Sequence, residues 1–271
     1  MNIWLDGQIT PADAARIDPA DRGFLLGDGL FETMCVSNGK ACHQARHLTR
    51  LQQGAATLEI PLPPDIPQAI AAILQANACI SGSLRLTLSA GPAPRGLIRP
   101  ASLQPTLLIT TAPAASPSPP ARLIIAQTTR RNQHSPLSRL KSLNYGDQML
   151  ARREAQSRGA DDALLLNTDG ALVCASAANL LLHDGHRWLT PPTASGALPG
   201  TRRAILIEAG LLREQTLVPA DLTAARQLLL LNALGAREVI AAQNHGFVPN
   251  PALIAPLLRT LRDADITSPP F

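Results

Sequence analysis

Apolar and polar positions recur along this chain with two periods, and the switches between them mark out its elements. Residues 2–9 alternate around Asp6-Gly7, the pattern of a short hairpin. Between Asp21 and Val36 glycines stand at 23, 27 and 29, where backbone turns tightly or lets another group come close. A strand then runs to Val36, with Asn38-Gly39 as its hairpin turn. Helical spacing over 43–58 predicts a helix with His47 and Arg50 on one face. Prolines over 61–67 break the chain, and a second helix is expected over 66–80. Strands follow over 84–89 and 106–111, joined through a glycine- and proline-bearing loop at 90–96.

Residues 112–120, Ala-Pro-Ala-Ala-Ser-Pro-Ser-Pro-Pro, have no periodicity and read as an extended spacer. They divide an N-terminal domain, 1–111, from a C-terminal domain, 121–271. The second domain has strand patterns at 122–127, 163–167, 171–173, 179–183 and 227–232, with turns at Asp169-Gly170 and Asp184-Gly185. Its helices are expected over 146–158, 201–210 and 251–262, with a loop over 191–200. Short strands with interspersed helices on both sides of a linker give an α/β (α+β) two-domain fold without internal repeats.

Composition narrows the function classes. With 45% hydrophobic and 16% charged residues the chain is an ordinary globular protein, and 3% aromatics make its core aliphatic. The net charge of +4 is spread out, and no basic run alternates with aromatics, so no nucleic-acid surface is expected. Arginine in excess suits a small anionic ligand. Cys35, Cys42, Cys79 and Cys174 have neither metal-site nor disulfide spacing, and the six histidines show no ligand pattern, so no metal is expected. The first residues lack the basic and apolar regions of a signal peptide and no apolar run has membrane length, so neither is expected, and a cytoplasmic location is the expectation.

One stretch carries candidate chemistry. Residues 137–146 hold Lys141, one of only two lysines among 24 basic side chains, and the sole tyrosine, Tyr145. Lys40, the other lysine, sits in a turn. A lysine with Leu137, Leu140 and Leu143 around it suggests a task closed to arginine, because an amine can lose its proton and act as a nucleophile. Such a lysine needs an aldehyde partner and an anion site to anchor it. Arg50 and the helix start at Gly200-Thr201-Arg202 are the anion-site candidates.

These residues resemble the class IV, fold-type IV pyridoxal-phosphate enzymes: branched-chain aminotransferases, D-amino acid aminotransferases and 4-amino-4-deoxychorismate lyases. The likeness runs through Asp21-Arg22-Gly23, Gly27 to Thr33, His47 to Leu51, Lys141 to Tyr145, Gly170 to Asn179, and Leu198-Pro199-Gly200. It implies a smaller N-terminal α/β domain, a larger C-terminal pseudo-barrel domain, and a homodimer with its active site at the interface between domains. It further implies that Lys141 carries the cofactor in a Schiff base and shuttles the substrate proton. Arg50 and the backbone of Thr201, Arg202 and Ala233 would hold the phosphate, and Tyr145 the ring oxygen. Cys174, Ala177 and Leu198 would also line the cofactor, and Phe31, Arg95 and Asn232 the substrate.

Two positions depart from the family pattern. Cys174 stands where a glutamate holds the ring nitrogen protonated, and Arg202 replaces a threonine of the phosphate loop. Leu231-Asn232-Ala233-Leu234 resembles the lyases more than the transaminases, as does the 89–96 loop, although Ala90 replaces one of its arginines. The expected activity is therefore conversion of 4-amino-4-deoxychorismate to 4-aminobenzoate and pyruvate. The alternatives are transamination of D-amino or branched-chain amino acids, and a non-catalytic homologue.

Overall fold

Two-residue turns with positive φ at both positions close the first hairpins, as the Asp-Gly and Asn-Gly pairs require. Asp6 and Gly7 (φ 45° and 92°) join β1 (Asn2–Leu5) to β2 (Gln8–Pro11). Asn38 and Gly39 (φ 52° and 73°) join β3 (Gly29–Ser37) to β4 (Lys40–Ala41). The structure is a computed structural model describing residues 1–267. Its residues fall into two units. One comprises 1–116 with 141–144, and the other 117–140 with 145–267.

In the first unit β5 (Gly82–Ser89) and β6 (Leu107–Pro113) complete an antiparallel sheet of order β2-β1-β6-β5-β3-β4. On β3 the period-2 pattern buries Leu30, Glu32, Met34 and Val36 on one face, where helix α2 (Gln44–Thr57) packs. The tight turn expected after Asp21 is a short helix, α1 (Arg22–Leu26), because the Asp21 carboxylate accepts from the Gly23 and Phe24 amides (2.7 and 3.3 Å). Helix α3 (Ile66–Ala76) ends four residues before its expected end. Asn77 leaves it to bond β1, donating to the Asn2 carbonyl (2.8 Å) and accepting from the Asn2 amide (2.9 Å).

Four residues flanked in sequence by the second unit, Lys141–Asn144, pack in the first. The Phe31 amide donates to the Lys141 carbonyl and the Leu143 amide to the Gly29 carbonyl, both at 2.9 Å. This explains the glycines. A Cβ on Gly29 would lie 2.4 Å from the Leu88 carbonyl oxygen and 2.8 Å from a Leu143 methyl. Gly27 takes φ 66° against the Asn144 side chain, whose amide donates to the Gly27 carbonyl (3.1 Å).

The second unit is a closed barrel. Strands β7 (Ala121–Ile125), β8 (Asp162–Leu166), β9 (Leu172–Ala175), β10 (Asn179–His183), β13 (Gln227–Asn232) and β14 (Gly235–Ala242) pair in a ring that closes through β9 and β10. Strands β11 (Trp188–Thr190), β12 (Leu212–Glu214) and β15 (His245–Gly246) extend it. The leucine runs of β10 and β13 are buried on both faces. Leu180, Leu182, Leu228 and Leu230 fill one core, and Leu181, Leu229 and Leu231 meet α5 (Thr201–Glu208) and α7 (Pro251–Thr267) in another. Helix α4 (Gly146–Ser157) lays Ala151 and Ala155 on β8, and α6 (Asp221–Ala224) is a single short turn. No helix of the described residues is long and apolar enough to cross a membrane.

Gly29→Ala is expected to lower stability by about 2–3 kcal/mol, because strand β5 or the Lys141 segment must shift. Gly146→Ala, with no atom within 4 Å of its added carbon, should be neutral or stabilise by up to about 1 kcal/mol. Urea midpoints measure both.

Candidate active site

Strand alternation places two different environments on β3. The face bearing Glu32 meets α2, and the one-turn spacing of His47 and Arg50 brings both onto that carboxylate. His47 Nδ1 lies 2.6 Å from Glu32 Oε2, Arg50 Nη2 2.6 Å from the same oxygen, and Arg50 Nε 2.8 Å from Oε1. Burial alone would raise the Glu32 carboxyl, but hydrogen bonds from Arg50 and His47 hold it below its ordinary value. Burial lowers His47 despite Glu32, so the imidazole is neutral at pH 7 and donates its Nδ1 proton.

The opposite face of β3 carries Phe31. The Lys141 ammonium nitrogen lies 4.1 Å from the centre of its ring, and the Arg85 guanidinium on β5 lies 3.9 Å from it. Loss of hydration, helped by the positive charges of Arg50 and Arg85 and opposed by Glu32, lowers the Lys141 amine to about 8. About a tenth of Lys141 is thus a free amine at pH 7 and about half at pH 8, the form a nucleophile or proton carrier requires. The apolar setting differs from the expected one, since Leu137 is 39% exposed and Phe31 supplies the contact instead.

In the second unit the structure draws several predicted residues together. Asn232 accepts from the Leu234 and Gly235 amides (2.9 and 3.2 Å) and donates to the Ala177 carbonyl (3.3 Å), tying the turn that holds Ala233 to the one that holds Ala177. Asn179 donates to the Leu198 carbonyl (2.9 Å) and packs so closely on Gly200 that a Cβ there would meet its oxygen at 2.1 Å. That brace sets the start of α5, whose first-turn amides have no partners inside the helix. The Arg202 guanidinium pairs with Asp265 on α7 (3.0 Å). Cys174 pairs in register with Asn179 and Leu165. Burial pushes its thiol up to about 11, against the pull of Arg131.

Tyr145 caps the start of α4. Arg95 is exposed in the loop whose Gly96 and Leu97 carbonyls are clamped by Arg22 (3.0 and 3.1 Å). Glu32 and Arg85 were not among the expected site residues. A carboxylate on the apolar face of a strand, opposite a helix presenting His and Arg, is the signal for the first. Arg85 occupies an outward position of a strand, where a solvated side chain is the ordinary reading.

A family model for amino-transferase class IV matches residues 29–242. A putative 4-amino-4-deoxychorismate lyase from Legionella pneumophila superposes with a TM-score of 0.86 at 32% identity, over 93% of this chain and 97% of that one. A bifunctional aminodeoxychorismate lyase / D-amino acid transaminase from Mycobacterium tuberculosis is 29% identical over 77% of each chain. A putative branched-chain-amino-acid aminotransferase from Methanocaldococcus jannaschii is 28% identical over 77% of this chain and 74% of that one.

The free-amine fraction of Lys141 rises as pH rises through about 8. Competitive acetylation of the cofactor-free protein, read by mass spectrometry with exposed Lys40 as internal reference, should therefore give a Lys141 midpoint near that pH. A midpoint above 10 would contradict the described environment.

Proposed function

Since the chain belongs to the class IV aminotransferase family, we propose that it is the lyase among that family's activities, releasing 4-aminobenzoate and pyruvate from 4-amino-4-deoxychorismate. The family's enzymes depend on pyridoxal phosphate, and the residues present fit that group. Lys141 offers a partly deprotonated amine and Arg50 a rigidly held guanidinium for phosphate. In the second unit, the first-turn amides of α5 at Thr201 and Arg202 suit an anionic group. When bound, the cofactor supplies an aldehyde and an electron-withdrawing ring that takes up negative charge from the substrate carbon.

The observation that carries the lyase reading is the second arginine. With Arg50 given to the phosphate, Arg85, on the Phe31 ring beside Lys141, suits one of the two carboxylates that the lyase substrate carries. Lys141 removes the proton from the reacting carbon and returns it to the departing side chain as pyruvate leaves. The remaining ring becomes aromatic, which supplies driving force. Cys174 supports the same reading. A thiol held near 11 is neutral at pH 7 and cannot keep a ring nitrogen protonated as a carboxylate would. A reaction driven by aromatisation depends less on that proton than transamination does. The Mycobacterium tuberculosis relative combines both activities, so D-amino acid transamination is the second reading.

Lys141→Ala should abolish the visible absorption of lysine-bound cofactor together with all turnover. Pyruvate release from aminodeoxychorismate, set against amino transfer from D- and branched-chain amino acids, decides between the readings. Cys174→Glu is expected to raise transaminase turnover and leave the lyase rate unchanged, and no effect on either would sink the account of Cys174. Arg85→Ala should raise KM for the dicarboxylate by about tenfold or more, the scale of one charge-assisted contact, with kcat little altered.

A further inference from the structure

Glu32 lies on the apolar face of β3 between Leu30 and Met34, and is itself 1% exposed. An unpartnered carboxylate there would be prohibitively costly. We propose that Glu32, steadied by His47, is a positioning residue of the lysine site: it fixes the guanidinium of Arg50 and supplies the negative charge that balances the cations gathered around Lys141. This rests on the reading of Lys141 as cofactor lysine and of Arg50 as phosphate ligand.

The geometry is over-determined. Nε and Nη2 of Arg50 both meet Glu32, one on each oxygen, and this fork fixes the guanidinium plane as well as its distance. Nδ1 of His47 meets the second oxygen, so the carboxylate cannot rotate without losing a bond. Both donors come from α2 and the acceptor from β3, so the direction of Arg50 is set before any anion arrives.

The electrostatics follow from the same placement. Lys141 is faced by Arg50 from α2, Glu32 from β3 and Arg85 from β5; His47 bonds Glu32, and His43 adds to the potential at His47. With His47 neutral, Glu32 is the one negative charge among these neighbours. Its loss would remove the negative charge that offsets the two arginines at the amine.

Acetylation midpoints of Lys141 in the cofactor-free protein, together with affinities for pyridoxal phosphate and for pyridoxal, test this. Glu32→Gln should move the midpoint down from about 8 by about one pH unit, the scale of a lost opposite charge. It should weaken pyridoxal phosphate binding by about tenfold or more while pyridoxal binding stays within about twofold, because only the phosphate depends on a fixed Arg50. In Glu32→Gln/Arg50→Met, which removes both charges, the midpoint should return to within about half a unit of its original value while the preference for the phosphate form stays lost. A folded Glu32→Gln with unchanged midpoint and unchanged phosphate preference overturns the proposal. If Glu32→Gln does not fold, the double variant decides: phosphate preference retained, or failure of the double variant to fold, overturns it. A wild-type chain that binds neither compound would refute the cofactor reading and leave the midpoint test standing.

Discussion

An amine is kept short of full protonation only where water is scarce and its charged neighbours are arranged to disfavour the ammonium. The region around Lys141 is organised by that constraint. Segment 141–144 is held against β3 by two backbone hydrogen bonds, so the lysine cannot relax back into solvent. The close approach demands residues without side chains beneath it, which is why Gly27 and Gly29 stand where they do. Phe31 then covers the amine, and Arg50 and Arg85 add positive potential.

One strand serves two opposing needs because successive residues of a strand face opposite ways. Glu32 points into the layer beneath α2, where its charge is consumed by Arg50 and His47. Phe31, the preceding residue, points the other way and carries two cations on its ring. In the second unit, rigidity comes from the doubly buried leucine strands of the barrel. Short side-chain braces, Asn179 to Leu198 and Asn232 to Ala177, transfer that rigidity to the turns that hold the phosphate-binding candidates.

Much of this was legible in the residues. The Asp-Gly and Asn-Gly turns and the helix carrying His47 and Arg50 follow from local chemistry, and each is present in the structure. The barrel was expected only through the family resemblance, because period-2 patterning says which face of a strand is buried but not which strand lies beside it. Strand β14 escaped notice because Gly-Ala-Arg-Glu-Val-Ile-Ala-Ala has little strand preference and forms only by pairing with β7 and β13. The role of Arg85 depends on Lys141, far along the chain, and no local pattern reports it, whereas the partners of Glu32 lie on the next helix and its apolar strand face was the signal. The pairing of Arg202 with Asp265 likewise depends on where α7 docks.

The central claim is that Lys141 is the cofactor-bearing residue. Borohydride reduction of the purified protein with pyridoxal phosphate, followed by peptide mass spectrometry, tests it most directly, since the chain offers only Lys40 as a competing lysine. A single reduced adduct on Lys141 is the predicted result. An adduct confined to Lys40, or none at all, would contradict the account.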